Sequence, residues 1–93
     1  MIVEWDSKKN ELNIKKHGIS FDLAAKVFAD INRIEYYDEA NSRYEDRYIT
    51  IGLVGEVLFV VYMDREDTVR LISARLANEK EAEVYYDKKR KNK

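Results

Sequence analysis

The chain has no cysteine and no proline, and it holds only three glycines and one histidine in 93 residues. The absence of cysteine excludes a disulfide framework, a thiolate metal site and a cysteine nucleophile. One His cannot supply an ordinary zinc site, and the carboxylates show neither EF-hand nor His-Glu-x-x-His spacing, so no metal and no cofactor is expected. The glycines stand apart at 18, 52 and 55, which leaves no Gly-rich phosphate loop and argues against a nucleotide-dependent enzyme. No apolar run approaches the roughly 20 residues that cross a bilayer, and the first residues lack a secretory signal pattern. A cytoplasmic protein without a membrane partner is expected.

What is present is charge and apolar side chains in nearly equal measure, 38% and 45%, with a net charge of −1. That balance describes a globular chain, and the length suits one domain, 1–93, with a single shared core. A sequence pI near 5.9 argues mildly against a dedicated nucleic-acid binder. The distribution is uneven, however. Residues 7–17 carry Lys8, Lys9, Lys15 and Lys16 against Glu11, and the C-terminal run carries Lys88, Lys89, Arg90, Lys91 and Lys93. Between them lie Asp30, Glu35, Asp38, Glu39, Glu45 and Asp46, so the domain is bipolar and local field matters more than net charge.

Ile2 to Trp5 reads as a short strand, and Asp6 offers an N-cap for a helix from Ser7 to His17 that Gly18 ends. Ser20 caps a second helix in which Phe21, Ala24, Ala25 and Phe28 recur at helical spacing, with Leu23 and Val27 widening the apolar surface. Arg33 to Tyr37 reads as a strand, and Asp38 to Arg43 as a polar loop. Arg47, Ile49, Ile51 and Leu53 share one parity, the pattern of a half-buried strand. Val57 to Tyr62 is apolar on both parities, and Val69 to Ala74 returns beside it. Asn78 with Glu81 forms a capping-box pattern for a last helix in which Ala82, Tyr85 and Tyr86 face inward. The order β-α-α-β-β-β-β-α implies an α+β domain with helices on an antiparallel sheet.

The chemistry left open by these absences rests on cations: Lys16, His17, Arg47, Arg65, Arg70 and Arg75. Cleavage of RNA by ribose 2′-OH attack needs no metal if one group removes the hydroxyl proton, another protonates the leaving oxygen, and cations neutralise the phosphorane. His17 has the intrinsic pKa for proton transfer, and Glu45 is an alternative base or the orienting partner of an arginine. Structural roles compete with each of these. His17 at a helix C-terminus complements the dipole without reacting, and Arg47 can pair with Glu45 across one residue. Arg70 and Arg75 have opposite parity, so a regular strand would send them to opposite faces unless it ends or bulges before Arg75. Arg75 is therefore the stronger candidate of the two.

Glu4-Trp5-Asp6, then Lys8, Asn13, Lys16-His17-Gly18-Ile19-Ser20-Phe21 and Ala24 to Phe28, resemble the start of the BrnT toxins of type II toxin-antitoxin systems. Glu45-Asp46-Arg47-Tyr48-Ile49-Thr50-Ile51-Gly52, Val60-Val61-Tyr62 and Arg70-Leu71-Ile72-Ser73-Ala74-Arg75 are similar to that family's later blocks. The resemblance implies a fold like that of the RelE ribonucleases and RNA cleavage that arrests translation. It also implies a BrnA-type antitoxin partner with a DNA-binding segment, in a hetero-oligomer that represses its own operon. It places Lys16, His17, Glu45, Arg47, Arg70 and Arg75 at the RNA site; joined with the charged residues read above, this gives Lys16, His17, Glu45, Arg47 and Arg75 to catalysis and Arg65, Arg70 and Lys9 to RNA binding. Thr68 stands where many relatives carry an Arg. The competing class is a non-catalytic module whose arginines hold an acidic partner segment.

Overall fold

The structure, a computed structural model, describes residues 1–91. Lys93, the last cation of the C-terminal run, lies outside them. In chain order the elements are β1 (Ile2–Glu4), α1 (Ser7–His17), α2 (Phe21–Ala24) with a 3-10 continuation (Ala25–Ala29), β2 (Ile34–Tyr37), a 3-10 turn (Glu39–Asn41), β3 (Arg47–Val54), β4 (Glu56–Arg65), β5 (Thr68–Leu76) and α3 (Glu79–Lys91). The strands form one sheet in the order β1-β5-β4-β3-β2.

The α+β class holds, and the expected antiparallel, RelE-like sheet is corrected at one edge. Strands β2 to β5 are an antiparallel meander, whereas β1 joins β5 in parallel, with Val3 opposite Val69 and Glu4 opposite Arg70. Alternation identifies a strand but not its neighbour or direction, so nothing local in residues 2–5 announced this pairing.

Helix α1 begins and ends where its caps require. Asp6 accepts from the Lys8 N–H at 2.8 Å, and Gly18, at φ 71°, lets its N–H reach the Ile14 carbonyl. Its buried residue is not apolar but Asn13. Strand β1 stops opposite Arg70, so the outer edge of β5 beyond that point has no strand neighbour. Asn13 takes the neighbour's place: its amide donates to the Ala74 carbonyl at 2.8 Å and to the Ile19 carbonyl at 2.9 Å, and its carbonyl accepts from the Ala74 N–H at 3.1 Å. Both otherwise orphaned backbone groups of Ala74 are satisfied.

The second helix is shorter than expected. Ser20 does cap it, accepting from the Leu23 N–H, but the α-helix gives way to a 3-10 turn at Ala25 and Leu23 faces solvent. The tighter segment lies directly on β3: a Cβ at Gly52 would come within 2.5 Å of Val27 Cγ2. Glycine is therefore required there by close approach.

Both sheet faces are covered, but unequally. On one, Phe21, Ala24 and Val27 pack on Leu58, Val60, Tyr62, Leu71 and Ala74; on the other, Tyr85 of α3 packs on Ile34, Ile51 and Val57. The expectation of a half-buried β3 is corrected, because Thr50 and Gly52 on its second parity are also buried. Tyr86, expected inward, is 42% exposed, one residue off the buried face that Tyr85 occupies.

Asp30 joins the two halves of the core. Its carboxylate accepts from the Asn32 N–H (2.9 Å), the Leu53 N–H (2.8 Å) and the Tyr85 hydroxyl (2.5 Å), tying the 3-10 segment to β3 and α3. Burial opposes its charge, yet these three donors, with Lys89 nearby, hold its carboxyl below the usual range. A carboxyl more acidic in the fold than in the open chain adds stability above about pH 4 and loses it as pH falls through the lower folded value. Asp30→Asn is expected to cost about 1.5–3 kcal/mol at pH 7. In denaturant titrations the difference from the parent should shrink toward pH 3; a difference independent of pH would contradict the assignment.

Candidate functional site

Cross-strand partners project from the same side of a sheet, so register fixes which side chains meet. Arg47 lies opposite Met63, Met63 opposite Arg70, and Arg70 opposite Glu4, a straight row across four strands. Two rows further along, Ile51, Phe59 and Arg75 are partners. Arg70 and Arg75 reach the same face because the register slips between Val61 and Tyr62. Val61 pairs with Ser73 and Tyr62 with Leu71, which leaves Ile72 as the extra residue of a bulge. The sequence left two outcomes for Arg70 and Arg75, opposite faces or a strand that ends or bulges before Arg75, and the strand bulges. Arg65, paired with Thr68, shares the face too.

The face thus carries Arg47, Arg65, Arg70 and Arg75 around an apolar floor that includes Ile49, Phe59, Val61 and Met63. Helix α3 covers its Ile34, Ile51 and Val57 end, and the row of Arg47, Met63 and Arg70 lies outside that cluster. By strand spacing, Arg47 and Arg70 are rooted about 10 Å apart.

The four guanidinium groups differ in what they already hold. Arg70 pairs with Glu4 at 3.3 Å and Arg65 with Glu45 at 3.5 Å. Arg75 is held most firmly, donating to both oxygens of Glu81 at 2.8 and 3.0 Å while lying 3.9 Å from the centroid of the Phe59 ring. This hydrogen-bonded pair raises the Arg75 pKa against the opposing effect of burial, and it lowers that of Glu81. Glu81 also closes the capping box: it accepts from the Asn78 N–H at 2.9 Å, and its own N–H donates to Asn78 Oδ1 at 2.8 Å. Arg75 thus fastens the start of α3 to β5.

Arg47 is the exception. Its backbone is anchored, the N–H donating to Ser42 Oγ at 2.9 Å and the carbonyl accepting from the Asp38 N–H at 2.8 Å. Its side chain makes no ion pair with any described residue, and the expected pairing with Glu45 does not form because Glu45 holds Arg65. Among the described residues, Arg47 Nε is the buried side-chain nitrogen or oxygen left without a partner. An unsatisfied buried donor costs about 1–3 kcal/mol, more for a charged group.

The α1 candidates gather separately. Lys9, Asn13, Lys16 and His17 of α1 border a depression of about 270 Å³ between α1 and β5, with Ile72 and Ser73 of β5 on its far side. Ser73, partner of Val61, stands on the arginine face between Arg70 and Arg75, so the depression adjoins that face. The largest cavity, about 520 Å³, is elsewhere, on the opposite side of the sheet among Phe28, Glu35, Tyr62, Asp64 and Asp67. Its carboxylates suit a phosphate poorly. One feature escaped sequence reasoning, the hold of Glu81 on Arg75, six residues away across a strand-to-helix junction; Tyr36, a residue type that suits either packing or base stacking, shares the arginine face as partner of Ile49.

Among the described residues no group of three or more His, Cys, Asp or Glu side chains is arranged for a metal ion, and no helix is long and apolar enough to cross a membrane. The protein is a small α+β domain whose sheet carries four arginines around an apolar floor. Residues 5–81 match the family model of BrnT, the ribonuclease toxin of type II toxin-antitoxin systems, and the chain belongs to that family. Membership implies an antitoxin protein as partner. A search of curated proteins returns no match.

The Arg75–Glu81 pair is testable without activity. A double-mutant cycle with Arg75→Ala and Glu81→Ala, read by thermal and denaturant unfolding, should return a coupling of about 1 kcal/mol, with Glu81→Ala the more damaging single change because it also removes the cap. Additive effects would show that the pair contributes nothing to the anchoring of α3.

Proposed function

We propose that the arginine face binds an RNA strand and that the protein cleaves it without a metal, by attack of a ribose 2′-OH on the adjacent phosphate. The 2′-oxygen forms a bond to phosphorus as the bond to the departing 5′-oxygen breaks, giving a 2′,3′-cyclic phosphate and a 5′-hydroxyl. The observation that carries the reading is Arg47, whose side chain forms no ion pair with a described residue and whose buried Nε lacks a partner, so that a rotation of the side chain would give this donor to a phosphate oxygen. A second support is the meeting of the α1 cations with Ser73 between Arg70 and Arg75.

In this reading one phosphate sits at Arg47 and the scissile one beside Ser73. His17 takes the 2′-OH proton; Lys16, on the same depression, neutralises the phosphorane and returns a proton to the 5′-oxygen. Arg70 and Lys9 bind the flanking backbone. Glu45 serves as the orienting partner of Arg65 rather than as the base, and Arg75 adds positive field while anchoring α3. The partner is a BrnA-like antitoxin whose acidic surface covers this face. The two form a hetero-oligomer, and its DNA-binding segment would address the operator of the pair.

One observation favours a second reading. Arg65, Arg70 and Arg75 already hold carboxylates, which is what a module for an acidic protein segment would also do. RNA incubated with the purified protein in EDTA separates the two. Cleavage with cyclic-phosphate ends is expected, with Arg47→Ala and His17→Ala each slowing it at least about 10²-fold. Intact RNA together with tight antitoxin binding would select the module instead.

A further inference from the structure

Beside the arginine face, between β2 and the first turn of α3, lies a cleft of about 380 Å³. Ile34, Ile51 and Val84 form its apolar lining, Tyr36 one wall, and Asn78 and Lys80 its polar rim. We propose that this cleft is a nucleobase subsite, in which Tyr36 stacks on one base of the RNA strand lying across the arginines. The inference rests on the ribonuclease reading and deepens it by assigning a place to a base rather than to the backbone.

Tyr36 is set apart from the other tyrosines near it. Tyr37 donates its hydroxyl to Asp46 at 2.9 Å and packs edge-on against Tyr48; Tyr85 is fully buried and bonded to Asp30; Tyr86 lies edge-on to Tyr85. Tyr36 has neither a hydrogen bond nor an aromatic neighbour among the described residues, yet it is only 45% exposed on a strand whose other end is core. A half-exposed ring without an aromatic partner is available to stack on a base, as aromatic side chains do in single-stranded nucleic-acid sites.

The rim has donors to spare. Asn78 Oδ1 is taken by the Glu81 N–H, which leaves its amide N–H groups, and Lys80 forms no ion pair with a described residue. Both can meet the acceptor edge of a base. The cleft is also continuous with the phosphate face, because Glu81 lines it and holds Arg75. A strand with a phosphate beside Arg75 and Ser73 would have a base at Tyr36. An aliphatic side chain of the antitoxin is the competing occupant, but the unused polar donors favour a base.

The test uses full-length protein and an uncleavable 2′-O-methyl hexanucleotide, compared with the same backbone carrying abasic positions, by fluorescence anisotropy at one fixed salt concentration. Tyr36→Ala is expected to weaken binding of the base-bearing strand about tenfold and to leave the abasic strand unchanged, while Tyr36→Phe and Tyr36→Trp retain affinity. Unfolding curves for all three variants establish that the fold persists. Equal affinity of Tyr36→Ala and parent for the base-bearing strand would overturn the subsite, as would a Tyr36→Ala loss confined to antitoxin binding. Arg47→Ala separates the two levels. If it weakens both strands while Tyr36→Ala weakens neither, the subsite alone fails; if neither change matters, the ribonuclease reading fails with it.

Discussion

One extra residue in β5 determines what the sheet can do. Because Ile72 bulges out of register, Arg70, Ser73 and Arg75 reach the face that Arg47 occupies, while Leu71 and Ala74 still reach the core beneath α1 and α2. Without the bulge, Arg70 or Arg75 would have to enter that core, where a guanidinium without a partner is costly. The strand is fixed just past the irregularity by Asn13, which replaces the missing neighbour at Ala74. The same contact seats α1 against β5, so Lys9, Lys16 and His17 arrive beside Ser73 as a consequence of edge protection.

The electrostatics of the face follow a division of labour. Glu4, Glu45 and Glu81 each answer one arginine, and the strongest of these pairs also completes the cap of α3. A net charge of −1 is therefore compatible with a phosphate-binding surface, since the acidic residues either neutralise positioning arginines or lie away from the site. Arg47 is left over. Its backbone is fixed by Ser42 and Asp38 at the start of β3, and its side chain forms no ion pair with a described residue.

Residues whose structural role is set locally were legible in the sequence. Asp6, Gly18, Ser20 and the Asn78–Glu81 box mark helix ends because caps act within a turn or two, and parity correctly set Arg47 beside Ile49 and Ile51. What required the assembled sheet was not legible. The parallel docking of β1, the bulge at Ile72 and the collapse of α2 into a 3-10 turn over Gly52 each depend on a neighbour far along the chain. The site divides the same way. Its cations were readable as residue types, but which of them is unpartnered depended on where Glu45 and Glu81 come to lie.

The account turns on Arg47, and a crystal structure of the protein with an uncleavable 2′-O-methyl RNA addresses it directly. A phosphate oxygen is predicted to accept a hydrogen bond from Arg47 Nε, with the strand crossing toward Ser73. RNA bound on the opposite sheet face or along the outside of α3, with Arg47 Nε still unpartnered, would contradict it.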